Sequence, residues 1–260
     1  MEKITGIIIQ ARMSSTRLPG KMVEKIEGKT VLEHVIERVK KINRDKKIIL
    51  ATTEKKEDDI LEEIGRKTGI SVYRGSEDDV LDRFYKAAVF FKVDPIVRIT
   101  ADCPLLDPEI TEKVIDLFFE GGYDYVSNTN PPTFPDGLDV GVLSFGALEK
   151  TWKKAKLKSD REHVVTYIIK NPETFKTGNL RHKKDISHLR LTLDEAKDLE
   201  LIKKVYKQLY SKNPFFGLGK IMELFENKPD LAEINSSIER NEGYKKSLKE
   251  DKIHENKNKN

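Results

Sequence analysis

A chain of 260 residues, 37% hydrophobic and 35% charged, can bury a sizeable core as one large α/β domain or two small ones. Its 48 basic and 44 acidic side chains nearly cancel, so the net charge of +4 carries no footprint of a nucleic-acid partner, and no apolar run is long enough to cross a membrane. The first strand begins almost at once, leaving no room for a signal peptide, and the lone Cys103 has no disulfide partner, so a cytoplasmic protein is expected.

The run from Ile4 to Ile9 is apolar and β-branched without polar alternation, the pattern of a strand buried on both faces of a parallel sheet. The loop behind it gathers Arg12, Ser14, Ser15, Thr16, Arg17, Gly20 and Lys21. Guanidinium forks, hydroxyls and free backbone N–H groups at this density suit a multiply charged anion. Ligands of open α/β sheets bind just beyond the carboxyl ends of the strands, where this loop falls. It is not a P-loop, because Ser15 stands at the first glycine and Met22 follows Lys21, and no Gly-x-Gly-x-x-Gly follows the strand.

Thr30 then caps a helix carrying Val31, Val35, Val39 and Ile42 at helical spacing. Lys46 to Thr52 reads as a second strand, Lys55 to Lys67 as a helix ended by Gly69, and Ser71 to Arg74 as a third strand. A helix over Asp78 to Phe91, a strand over Asp94 to Thr100, a helix opened by Asp107-Pro108 and a strand over Gly122 to Ser127 follow. This alternation predicts a doubly wound, mostly parallel, Rossmann-like α/β sheet. From Asn128 a proline-rich loop interrupts it. A strand over Val140 to Phe145, helices over Phe145 to Ala155 and Asp160 to Lys170, and an extended stretch over Leu180 to Leu193 are expected next. A long helix over Asp194 to Tyr210 and another over Phe215 to Phe225 complete the domain, taken as residues 1–240. Beyond about Asn241 a Lys-, Asn- and Glu-rich tail is expected to fray.

Asp102 sits in the turn after the strand ending at Thr100, on the same rim as the basic loop. A carboxylate beside bound phosphates is repelled unless a divalent cation lies between them, and Mg²⁺ is the natural choice. Asp194 is a second candidate ligand, although on the residues alone an Asp at a helix start is better explained as a cap.

The segments IIIQARMSSTRLPGKM, RGSEDDVLDRF, VRITADCPL, FPDGLDV, DREHV and LTLDEAKDLELI, in this order, resemble the CMP-sugar synthetase superfamily, and within it the SpsF-type branch of spore coat polysaccharide synthesis. That branch is kin to the 3-deoxy-manno-octulosonate and acylneuraminate cytidylyltransferases. The resemblance runs from about residue 4 to 245. It implies that Ala11 and Arg12 line a CTP site, that Ser15, Arg17 and Lys21 bind the triphosphate, and that Asp102 and Asp194 hold Mg²⁺. Arg17, Lys21 and Asp102 would then carry the chemistry: an anomeric sugar hydroxyl attacks the α-phosphate of CTP, giving a CMP-sugar and pyrophosphate. Positioning and charge neutralisation supply the acceleration, with no side-chain nucleophile. The resemblance also implies a homodimer, with residues 128–190 as an acceptor-binding and dimerisation excursion.

Two positions depart from the relatives. Cys103 stands where the octulosonate enzymes have Glu, and reads as a packed thiol; Gly141 stands where SpsF-type sequences have Glu, which puts in doubt a contact carried over from there. Arg74 and Ser76 end the third strand as either a nucleotide-proximal loop or an ordinary turn. Asp136 and Asp139 could bind acceptor hydroxyls, and His163 could bind the sugar or accept its proton, or simply begin a helix. A glycosyltransferase using nucleotide sugars is the competing enzyme class, although Ala-Asp-Cys lacks its usual Asp-x-Asp pair. A non-catalytic nucleotide-binding partner of a glycan pathway is the other alternative.

Overall fold

The computed structural model describes residues 4–257. Seven strands form one sheet: β1 (Ile4–Gln10), β4 (Lys46–Thr53), β5 (Ser71–Gly75), β6 (Val93–Thr100), β7 (Tyr125–Ser127), β8 (Gly141–Leu143) and β9 (Thr177–Asn179). Their order is β5-β4-β1-β6-β8-β7-β9. β5, β4, β1 and β6 are parallel, as expected of strands joined through helices. β8 runs antiparallel to both β6 and β7, because the chain returns from β7 through a loop rather than a helical crossover. The remaining two strands, β2 (Lys25–Ile26) and β3 (Lys29–Thr30), make a small hairpin between the basic loop and the first helix.

One face of the sheet is covered by α1 (Val31–Lys40), α2 (Asp59–Lys67) and α4 (Pro108–Gly121), whose apolar stripes join Ile7, Ile9, Leu50 and Val97 in one core cluster. The other face is covered by α3 (Val80–Phe91), α5 (Phe145–Lys154) and α7 (Thr166–Lys170), packed on Ile8, Ile49 and Ile96. Successive strand residues thus feed opposite cores, which is why β1 shows no polar alternation. The α1 start is a reciprocal box: Thr30 Oγ1 accepts from the Glu33 N–H at 3.2 Å, while the Glu33 carboxylate accepts from the Thr30 N–H at 2.7 Å. Asp107 caps α4 by accepting from Glu109 N–H at 2.9 Å, with Pro108 in the first turn. A third cluster unites α8 (Ala196–Leu209), α9 (Leu218–Asn227) and the short α10 (Asp230–Glu233) with Ile26, Val31 and Leu105.

Four sequence expectations need correction. The helix over Asp160 to Lys170 is two short ones, α6 (Lys158–His163) and α7, because Val164 between them takes φ 65° and turns the chain so that its own side chain is buried. The stretch Leu180 to Leu193 is not continuously extended: bends at 183–184 and a turn at 187–188 break it, and an isolated bridge pairs Arg190 with Asp136. Gly122 does not begin a strand, since it ends α4 in the left-handed region at φ 57° and β7 starts at Tyr125. The charged tail does not fray at Asn241: α11 (Glu242–Lys257) follows, with Ser247 and Asp251 buried against α6. Among the described residues no helix is long and apolar enough to cross a membrane.

Candidate active site

The carboxyl ends of β1, β4 and β6 share one rim, and the basic loop rises from the first of them. Asp58 fastens the loop: its buried carboxylate accepts from the Met13 N–H at 2.7 Å and from the Thr53 hydroxyl. Gly20 then takes φ 73°, a left-handed turn that side chains resist, and opens a single 3₁₀ turn over Lys21–Val23. That turn drives the Lys21 side chain inward.

There Lys21 Nζ donates to Asp194 Oδ1 at 2.9 Å, to Asp102 Oδ2 at 3.3 Å and to the Leu193 carbonyl at 2.7 Å. Two carboxylates from distant parts of the sequence therefore converge on one ammonium. Arg17 reaches the same place from the loop, with Asp194 Oδ2 at 2.9 Å and Glu242 Oε2 at 3.1 Å. Burial alone would lower the pKa of Lys21, but Asp102 and Asp194 outweigh it and the ammonium is held above its usual range. Burial would likewise raise Asp194, but Lys21, then Arg17 and Arg190, hold its carboxyl below the ordinary value.

Asp194 is fixed from behind by a buried arginine. Arg190 gives Asp194 Oδ2 a hydrogen bond at 3.1 Å, Asp136 Oδ2 one at 3.0 Å, and Asp198 a bidentate pair at 2.9 and 3.0 Å. Asp198 in turn accepts from the N–H groups of Asp194 and Glu195, both at 2.9 Å, and so starts α8. Sequence reasoning passed over Arg190 and Asp198. Their signal was the spacing Arg190, Asp194, Asp198, which straddles the boundary between a run read as extended and the helix after it.

A cavity of about 510 Å³ opens over this cluster. Gln10, Ala11, Arg12, Ser15, Arg17, Lys21, Thr100, Asp102 and Asp194 line one side. Glu162 and His163 of α6, with Glu242, Lys246 and Ser247 of α11, line another. Ser15 is also the hydroxyl that accepts from the Leu18 N–H at 3.3 Å, bracing the loop. Arg12 lies 4.0 Å from Glu77, which also accepts from the Ser14 hydroxyl at 2.5 Å. His163 Nε2 meets Ser247 Oγ at 3.0 Å, and Arg161 beside it grips Asp79 of the α3 cap at 2.5 to 3.0 Å, which anchors α6 at the rim.

Four expected site residues are not brought into the cavity. Arg74 turns to the outer edge, donating to Asp59 at 2.6 Å, Glu62 at 2.8 Å and the Thr53 carbonyl at 2.7 Å. Ser76 accepts from the Asp79 N–H at 3.0 Å and is an ordinary turn residue. Asp136 and Asp139 lie behind the cavity wall, where Arg190 and Arg240 hold them; Arg240 donates to Asp139 at 2.9 Å. Burial pushes Asp139 up, and burial together with Asp139 pushes Asp136 up to about 7. Cys103 is buried, and burial with the adjacent Asp102 raises its thiol well above the usual range, so it is a packed, protonated thiol. Gly141 pairs across the sheet with Arg98, and a Cβ there would meet the Tyr125 ring at 3.1 Å.

The residues present fit a hard divalent cation. Asp102 and Asp194 offer oxygen donors toward one point at the cavity floor, and Mg²⁺ needs only one or two carboxylates when substrate phosphates complete its shell. Among the described residues no group of three acidic, His or Cys side chains forms a closed metal cage.

The buried His34 and the half-buried His163 contribute to a pH dependence of stability. Burial lowers the pKa of both His34 and His163 below 6.5. Each ring therefore takes up its proton more readily in the unfolded chain, so the two imidazoles contribute a loss of stability as pH drops below about 6.5, while Asp136, which holds its proton more readily in the fold, contributes in the opposite direction. The urea midpoint of the double variant His34→Gln, His163→Gln, measured against wild type from pH 7 to 5, should gain on it as pH falls; a difference that does not change with pH would contradict the assignment.

Residues 6–240 match the cytidylyltransferase family. The spore coat polysaccharide biosynthesis protein SpsF of Bacillus subtilis is 34% identical over 233 residues, covering 86% of this chain and 95% of that protein. The 3-deoxy-manno-octulosonate cytidylyltransferase of Chlorobium chlorochromatii is 27% identical over 203 residues, 75% of this chain and 74% of that one. Among solved structures, a cytidylyltransferase from Leptospira borgpetersenii superposes with a TM-score of 0.84 at 36% identity, over 92% of this chain and all of that one.

Proposed function

This chain belongs to the cytidylyltransferase family, and from that premise we propose that it transfers CMP from CTP to the anomeric hydroxyl of an acidic sugar, releasing pyrophosphate with Mg²⁺ as cofactor. The observation that carries the reading is the meeting of Arg17, Lys21, Asp102 and Asp194 at one cavity floor. Cations alone would suit any polyanion. Cations interleaved with two carboxylates suit a polyanion that arrives with a divalent metal. The relatives named for spore coat polysaccharide synthesis and for octulosonate activation support a sugar acceptor bearing an acid group.

In this mechanism Arg17 and Lys21 exchange their carboxylate partners for oxygens of the triphosphate, and the loop N–H groups and Ser15 hold its remaining oxygens. Asp102 and Asp194, freed of Lys21, would hold Mg²⁺, and the chemistry that ion would supply there is neutralisation of phosphate charge and polarisation of the α-phosphate. The anomeric oxygen forms its bond to the α-phosphorus as the bond to the β-phosphate oxygen breaks. The electron pair leaves with pyrophosphate, where Arg17 and Lys21 stabilise the developing charge. His163 lines the cavity and is held neutral by burial, so it can accept the proton lost by the sugar hydroxyl.

A pyrophosphate-release screen of the four nucleoside triphosphates against a panel of acidic and neutral sugars, with and without Mg²⁺, tests this directly. Release from CTP with an acidic sugar, only when Mg²⁺ is present, is the expected result. Glycosyl transfer from a preformed nucleotide sugar, with no release from any triphosphate, would overturn it.

A further inference from the structure

The helix α11 lies beyond residues 6–240, the span matched by the family, yet it forms part of the cavity wall. It is seated rather than loosely laid there. Asp251 accepts from the Ser159 N–H at 3.2 Å, Glu250 pairs with Lys158 at 2.7 Å, and the Ser247 hydroxyl donates to Glu162 at 2.9 Å. These contacts fix its middle to α6 and carry its first turn to the basic loop, where Glu242 meets Arg17 at 3.1 Å.

The charges along the cavity are almost all spoken for. Among the described residues, Arg12, Arg17, Lys21 and Lys158 each face a carboxylate within 4.0 Å. Lys246 lines the same cavity and is exposed, and among the described residues it has no carboxylate within 4.0 Å, feeling Glu250 one helical turn on only at longer range. Among the described residues, a cavity that must take up a polyanion therefore holds one cation outside any close ion pair and one cation, Arg17, engaged by a carboxylate of the same helix.

We propose that α11 belongs to the substrate site: Lys246 supplies a cation to an anionic substrate group, and Glu242 holds the Arg17 guanidinium until a phosphate displaces it. This rests on the cytidylyl-transfer reading and deepens it. The two residues act with opposite signs. Glu242 repels an incoming phosphate and competes with it for Arg17, whereas Lys246 attracts it.

The test is CTP and inorganic triphosphate affinity by calorimetry on the full-length protein and on Glu242→Gln and Lys246→Ala. Glu242→Gln should tighten both ligands by about threefold, the scale of a partly exposed ion pair, and Lys246→Ala should weaken them by a similar factor. A Lys246→Ala effect confined to the acceptor's KM, with CTP affinity unchanged, would support the same cation reading the acceptor's acid group instead of the nucleotide's phosphates. If both variants weaken binding, α11 is only structural and the proposal fails; it also fails if Lys246→Ala moves neither CTP affinity nor the acceptor's KM. A wild-type protein that binds no polyphosphate would sink the cytidylyl-transfer reading along with it, whereas a wild-type enzyme that turns over CTP while the variants behave alike would sink the α11 proposal alone.

Discussion

Asp102→Asn is expected to lower turnover by roughly 10²- to 10³-fold, the cost of removing one preorganised charge from a transition-state site, while leaving the fold in place. The side chain faces the cavity at 28% exposure, and among the described residues its ion-pair partner is Lys21 at 3.3 Å, which keeps Asp194 and the Leu193 carbonyl if Asp102 loses its charge. The backbone around it is held independently: the Asp102 carbonyl accepts from Leu193 N–H at 2.7 Å and from the Thr192 hydroxyl at 3.3 Å. Asparagine preserves the shape and withdraws only the anionic charge that, in the proposed mechanism, a divalent cation would need. The change in unfolding free energy should stay within about 1 kcal/mol, as for other substitutions that create neither a cavity nor a stranded charge. Pyrophosphate release at saturating CTP and Mg²⁺, paired with a thermal melt, reads both quantities. A variant running at the wild-type rate would remove Asp102 from the mechanism.

The largest stability effect is expected at Arg190. Its side chain is 5% exposed and binds Asp136, Asp194 and Asp198, the last of them fully buried. Arg190→Leu leaves three carboxylates without their shared cation, and breaking a buried pair in this way costs about 3–5 kcal/mol. For a chain of this size that is a fall in Tm of roughly 6–15 °C. Arg66→Leu provides the contrast, because Arg66 is 75% exposed in its pair with Glu62 and should cost less than about 1 kcal/mol. Below the melting transition, Arg190→Leu should also lose activity, since Asp194 then keeps only its Lys21 and Arg17 contacts and α8 loses the partner of its capping Asp198. Differential scanning calorimetry decides it; a midpoint within about 2 °C of wild type would show that the network is not what holds this region.

Much of this architecture was legible residue by residue. The strand at Ile4 to Ile9, the Thr30 cap and the Asp107-Pro108 start are local statements, made by side chains within a few positions of one another. Asp102 was legible because a carboxylate in the turn after a buried strand must share a rim with the loop of the neighbouring strand. Arg74 shared that rim by the same reasoning and yet turned outward, because Asp59 and Glu62 of α2 offered it partners that strand position does not reveal. Asp136 and Asp139 were drawn away from the cavity for a similar reason, by arginines distant in sequence. The tail composition suggested too little to bury; α11 is held through Ser247, Glu250 and Asp251 on α6, a polar docking that hydrophobic patterning does not register.

The sequence by itself determined the alternation of strands and helices, the basic, hydroxyl-rich character of the first loop and the placing of a carboxylate on the same rim. Those follow from periodicity and local chemistry, which act over a few residues. The tertiary structure alone decided which charges meet: that Lys21 lies between Asp102 and Asp194, that Arg190 gathers three carboxylates, and that the last helix closes one side of the cavity. Ion pairing depends on distance in space, and chain separation carries no information about it until the sheet has fixed where each strand ends.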